Sequence, residues 1–149
     1  MACAPGTGDV PLTLAQLLPL TGAVVVCTPQ KVAQDDARRA IRMFQQLQIP
    51  LLGVVENMSY FIGNDGVEYD IFGKGGAQAM AHQMDIQYLG GIPINMRLRA
   101  NCDNGKPISN FEDDAQLGLE LETVVKNLTQ QVSIQVRQTE LATPTISIS

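Results

Sequence analysis

Three short apolar runs constrain this chain more than anything else in it. Ala23-Val-Val-Val-Cys27 ends at Thr28-Pro29, Leu51-Leu-Gly-Val-Val55 is the second, and Tyr88-Leu-Gly-Gly-Ile92, closed by Pro93, is a weaker third. None alternates apolar with polar residues, so each offers apolar side chains to both faces. That pattern suits the buried strands of a parallel sheet rather than a half-wet antiparallel one. Between the first two runs, Lys31 to Gln48 has helical period, with Ala33, Ala37, Ala40, Ile41, Phe44 and Leu47 on one face. Asp35 and Asp36 precede Arg38, Arg39 and Arg42, an order that suits the helix dipole. Gly75 to Met84 reads as a shorter, alanine-rich helix. The progression strand, helix, strand, loop, helix, strand predicts an α/β three-layer fold. Its parallel strands fall near 23–28, 51–56 and 87–92.

A last helix is signalled by the capping-box pattern Ser109-Asn-Phe-Glu112 ahead of Asp113 and Asp114. Leu117, Leu121, Val124, Val125, Leu128 and Val132 continue it at helical spacing. After Ser133 the period dissolves, which predicts one domain over 1–132 and a polar, flexible tail over 133–149, with a short extended patch at Thr145–Ile148. With 149 residues, 45% of them hydrophobic, the chain can bury a core without disulfides. Its net charge of −5 and lack of a basic stripe argue against electrostatically driven nucleic-acid binding. Cys3, Cys27 and Cys102 lie far apart with no CxxC spacing, which speaks against a disulfide framework and a self-contained zinc site. No apolar run has the length of a membrane span, and the start lacks a signal-peptide pattern. The expectation is a cytoplasmic protein.

Two glycine-rich segments could carry chemistry. Pro5-Gly-Thr-Gly-Asp9 precedes a short helix at Leu12–Leu18, where backbone N–H groups and the helix dipole can meet an anion; taken alone the signal is weak, and a plain glycine turn is the better reading. Gly73-Lys-Gly-Gly76 places a lysine among glycines ahead of a helix, but it does not match GxxxxGK[ST] and reads as a flexible start to that helix. Nowhere in the chain is there a P-loop. His82 reads as a helix-surface residue, Cys27 as a core thiol and Cys102 as exposed. The Glu112–Asp114 cluster reads as first-turn helix charge.

The ordered set of motifs says more. PGTGDVPLTLAQ at 5–16 is followed by VVVCTPQK at 24–31, GVVENMSYF at 53–61 and IFGKGG at 71–76. Ile92-Pro-Ile94, Arg99 and Asp103-Asn-Gly-Lys-Pro-Ile108 complete the series. From about Ala4 to Leu128 this resembles the C-terminal half of the Mrp/ApbC-type P-loop ATPases. These iron–sulfur cluster carriers are related to MinD, ParA and the nitrogenase iron protein.

The resemblance implies a partial P-loop NTPase fold and a role as an ATP-binding iron–sulfur cluster carrier. It also implies a dimer, formed with itself or with another family member, and iron–sulfur apoproteins as recipients. Gly6, Thr7 and Gly8 would occupy the segment that senses the γ-phosphate. Asn57 matches the asparagine that recognises adenine, and Pro93 the loop that closes over the base. Both fall at strand C-terminal ends, where open α/β sheets bind ligands.

Three departures from the family pattern set further expectations. The P-loop half that would hold ATP and Mg²⁺ is missing, and Ala2 stands at the Mg²⁺-linked aspartate position. Gly63 and Gly66 replace the CxxC cysteines that bridge a cluster, so no metal ligand is expected there. Asn95 replaces the usual acid after the Ile-Pro pair. The chain is therefore expected to be a truncated form, weak or inactive alone. One alternative is a non-catalytic interaction module that pairs with a full-length relative. A MinD/ParA-like partitioning ATPase is a third, disfavoured by the NMSYF and IFGKGG segments and by a tail with no basic amphipathic helix.

Overall fold

A computed structural model describes residue 13 and residues 17–142 of the chain. The Pro5–Asp9 turn, with Gly6, Thr7 and Gly8, lies outside the described residues, as does the Thr145–Ile148 patch. The described elements run in the order β1 (Ala23–Cys27), α1 (Lys31–Gln46), β2 (Leu51–Ile62), β3 (Glu68–Tyr69), α2 (Gly76–Gln83), β4 (Tyr88–Ile94), α3 (Met96–Asp103), a 3-10 turn (Pro107–Phe111) and α4 (Ala115–Ala142).

All three apolar runs are parallel strands. β2 lies in the middle, with Val25 of β1 opposite Val54 and Gly90 of β4 opposite Val55. Each β-branched run presents alternate side chains to a covering helix, which is why the sheet closes around it. Val25 and Cys27 of β1 and Val54 of β2 pack with Ala37, Ile41 and Phe44 of α1 and with Ala77, Met80 and Ala81 of α2. The small alanines of α2 let it lie close to the strands. The opposite face of β1 is less covered than its apolar sequence suggests, since Val26 is 39% exposed. α4 packs along β4 and β2, and the Asn127 amide donates to the Leu89 carbonyl at 2.8 Å.

One glycine allows close approach inside the sheet. Gly53 has φ +152°, and a Cβ there would sit 2.6 Å from Leu89 Cγ and 2.7 Å from the Gln87 carbonyl. Overpacking of this kind costs about 1–3 kcal/mol. Gly53→Ala is accordingly expected to lower the urea midpoint by about 2 kcal/mol equivalent with an unchanged slope. An unaltered midpoint would show that the strands can part here without cost.

Three sequence expectations are corrected. The last helix does not begin at Ser109. That residue's carbonyl accepts from the N–H groups of Glu112 and Asp113 and so closes the 3-10 turn. The cap is Asp114, whose Oδ1 accepts from Leu117 N at 3.2 Å. The same helix continues past Ser133 to Ala142, where the sequence predicts the tail. Gln135, Arg137, Gln138, Glu140 and Leu141 favour helix even where apolar period has faded. The Ser133 and Thr139 hydroxyls bond back to the carbonyls four residues earlier. Finally, β2 extends beyond residue 56 to Ile62 and folds back on β3 as an antiparallel hairpin.

Candidate functional site at the ends of the parallel strands

β2 does not run straight through its C-terminal end. Its register with β4 shifts between Asn57 and Phe61, and Met58 takes φ +57°. Asn57 Oδ1 accepts the Met58 N–H at 3.0 Å, and Met58 is left 42% exposed. Asn57 therefore sits at the lip of a bulge, opposite Ile92 of β4, with Pro93 next along that neighbouring strand. The two residues matched to base recognition thus lie on adjacent parallel strands, Asn57 at a register break within β2 and Pro93 one residue before the end of β4. They do not share one wall, however. Pro93 is buried and lines an open groove of about 390 Å³ with Phe61, Ile62, Asn95, Arg97 and Asp114, and Asn57 is not part of that lining.

The residue just before Asn57 is one that sequence reasoning missed. Glu56 is fully buried in the strand, with Cys27 of β1 and Gly91 of β4 as its register partners. Its carboxylate accepts the Ser59 hydroxyl at 2.6 Å, Gly75 N–H at 3.0 Å and Ala77 N–H at 2.7 Å. The two amides belong to the start of α2, where unpaired donors and the positive end of the dipole favour an anion. The signal was present in the sequence as a single acid closing an apolar strand, because a buried carboxylate must find donors.

This arrangement decides the reading of Gly73–Gly76. Gly75 adopts φ +74° to begin α2, but its N–H and that of Ala77 already hold Glu56. Lys74 pairs with Glu68, and its Nζ lies 5.1 Å from the centroid of the Tyr60 ring. Beside it a second cleft of about 440 Å³ is lined by residues including Ser59, Tyr60, Tyr88 and Glu120. Burial, then the hydrogen bond that its hydroxyl donates to Glu120, pushes the Tyr60 phenol up to about 12; burial, then the Glu56 charge, does the same for Tyr88. Both phenols stay protonated at neutral pH.

Asn95 takes over the capping work that an acid could do. Its Oδ1 accepts from Arg97 N at 2.8 Å and Leu98 N at 3.1 Å, while Nδ2 donates to Asp114 Oδ2 at 3.0 Å. The Leu117 N–H and then the Asn95 amide hold the Asp114 carboxyl below its ordinary range. An aspartate at 95 would instead set two carboxylates against each other.

At the positions of the missing cysteines the chain forms a closed turn. Gly66 N–H donates to the Gly63 carbonyl at 3.0 Å, and Gly63 N–H to the Val67 carbonyl at 2.9 Å. Asp65 binds both Val67 N–H and the Tyr69 hydroxyl. A Cβ on Gly63 would lie 2.6 Å from Asp65 Oδ1 and 2.8 Å from Tyr69 Cε2, and Gly66 has φ +74°. A pair of thiolates here would have to displace the Asp65 and Tyr69 side chains and strain the backbone at 66. Burial, then the Glu56 charge, pushes the Cys27 thiol up to about 11, so it is a poor ligand, while Cys102 is exposed on α3. Among the described residues, no group of three or more His, Cys, Asp or Glu side chains is placed to hold a metal ion. Nor is any described helix long and apolar enough to cross a membrane. His82 lies exposed on α2.

A parallel sheet covered by helices, with its candidate ligand residues toward the C-terminal ends of its strands, is a layout that P-loop nucleotide-binding proteins share with other open α/β folds. In structure, the chain matches the Pyrococcus furiosus cell-division ATPase MinD in fold, with a TM-score of 0.58 at 15% identity over 74% of this chain and 43% of that one. It also matches an Archaeoglobus fulgidus nucleotide-binding protein solved in complex with ADP. That likeness has a TM-score of 0.61 at 39% identity, over 68% of this chain and 42% of the other.

The family model for NUBPL iron-transfer P-loop NTPases matches residues 1–130, and the chain belongs to that family. It is 46% identical over 132 residues to the iron–sulfur cluster carrier protein of Deinococcus radiodurans, and 43% identical over 131 residues to the iron–sulfur cluster transfer protein NUBPL of Dictyostelium discoideum. These matches take in 88% and 87% of this chain but only 37% and 41% of the relatives' length.

Proposed function

We propose that this chain serves iron–sulfur cluster delivery as the base-recognising part of an ATP-binding carrier. The observation that carries this reading is Asn57, held at the register break within β2, with Pro93 on the neighbouring parallel strand. Asn57 can present an amide to adenine, and Pro93 an apolar surface for the ring. In the complete nucleotide site Mg²⁺ and a lysine-bearing loop neutralise the phosphates. No stretch of the 149 residues matches that loop, and Lys74 is engaged by Glu68. Gly6, Thr7 and Gly8 would lie along the phosphates. The cluster is cargo, and this chain's turn at Gly63–Gly66 supplies no thiolate for it. We further propose that the chain works in the cytoplasm, paired with itself or with another family member, and meets iron–sulfur apoproteins through that pairing.

Saturation-transfer NMR with millimolar ATP tests the base contact. Transfer to the adenine protons is expected, with loss in Asn57→Ala; equal transfer in the variant would overturn the assignment. Isothermal titration at millimolar ATP should show little heat, because phosphate neutralisation rests on groups the chain lacks. A micromolar Kd would mean that another phosphate site exists, and Lys74→Ala would then be the first variant to test.

A further inference from the structure

We infer that Glu56 and Ser59 form a clamp that positions Asn57 for base recognition and ties it to the start of α2. The inference rests on the base-binding reading above and adds two positioning residues to it. β2 must leave its register at Asn57, and Met58 adopts φ +57°, a conformation that costs energy for a residue with a side chain. Something has to hold that bulge closed. The Ser59 hydroxyl reaches back three residues to Glu56 Oε1 at 2.6 Å, spanning the two residues that are displayed outward. Glu56 cannot follow a shift of the bulge, because the amides of Gly75 and Ala77 also hold its carboxylate, the first on the oxygen that Ser59 uses and the second on the other. Ser59 is equally confined: it is buried, and a Cβ on Gly91 would already come within 2.9 Å of its Oγ.

The consequence reaches the Asn57 amide. Its Oδ1 accepts the Met58 N–H at 3.0 Å, which fixes which end of the amide accepts and which donates. The oxygen keeps a second lone pair for an amino group on a base, and Nδ2 can donate to a ring nitrogen. That pairing suits adenine, which carries an exocyclic amino group. It suits hypoxanthine less well, because a carbonyl replaces that group. If the clamp opens, the bulge relaxes, the amide is no longer oriented, and discrimination between the bases goes with it.

NMR titration of the full chain with AMP and with IMP tests this, using wild type, Ser59→Ala and Glu56→Gln. Wild type is expected to favour AMP by about tenfold, within the range for an oriented amide–base pair. Both variants should fall to within about twofold of no preference while keeping a dispersed, folded amide spectrum. A merely structural role would lower stability and leave the AMP-to-IMP ratio alone, so an unchanged ratio in Ser59→Ala overturns the proposal even if Glu56→Gln fails to fold. No preference in wild type would defeat the base-binding reading instead. The clamp is then judged on the Asn57 side-chain and Met58 amide resonances. Movement of both in Ser59→Ala supports it, and unmoved resonances overturn it.

Discussion

Glu56→Leu is expected to cost about 3–5 kcal/mol, because three donors lose the one acceptor they share. A domain's whole stability is about 5–15 kcal/mol, so this is a large share of what holds the chain together. The leucine would leave Gly75 N–H, Ala77 N–H and the Ser59 hydroxyl without their acceptor, in a place where Glu56 itself is fully buried. Each buried group left unsatisfied costs about 1–3 kcal/mol, and apolar gain from the leucine offsets only part of that. Glu56→Gln should lose less, about 2 kcal/mol, because its carbonyl oxygen can still accept. Urea denaturation followed by circular dichroism measures both. A loss under about 1 kcal/mol in Glu56→Leu would mean that α2 finds another cap and that the carboxylate is not what joins it to β2.

Why this residue escaped sequence reasoning shows where such reasoning stops. The three strands were legible because runs such as Val24-Val-Val26 have one physical use, burial in a sheet, and α1 because its apolar residues recur at 3.6-residue spacing. These signals are local. The step at Asn57–Met58 is not, since it depends on contacts from Glu56 to Gly75 and Ala77, about twenty positions away. Periodicity therefore ended the strand near residue 56, although β2 resumes and runs to Ile62. The start of α4 failed for a different reason. Ser109-Asn-Phe-Glu112 and Asp114 are both credible caps, and the choice fell to Asp114, which Asn95 fixes through its amide. Of the candidate site, Asn57 and Pro93 could be found by resemblance, but their separate settings could not, because the register shift in β2 decides them.

Reconstitution with iron and sulfide under anaerobic conditions, followed by desalting, is expected to leave this chain without a stable cluster. A four-iron cluster shared between two chains needs two thiolates from each, close together at the common face. The turn that would supply them carries Gly63 and Gly66, and its hydrogen bonds close it as the tip of the β2–β3 hairpin. Cys27 is buried, with its thiol pushed up to about 11, so at neutral pH it offers almost no thiolate. Cys102 is exposed but belongs to α3, and gives at most one ligand per chain. Visible absorption retained after desalting, with about four irons per dimer, would overturn this expectation. Loss of that band in Cys102→Ser or Cys3→Ser would then name the ligand. The converse variant, Gly63→Cys with Gly66→Cys, should not restore binding without damage. A side chain at 63 collides with Asp65 and Tyr69, and one at 66 is strained at φ +74°, so the hairpin must open before two thiolates can face a cluster. Faster amide exchange at Gly63 and Val67 in that variant, alongside any iron it gains, is the expected sign that hairpin and cluster compete for the same residues.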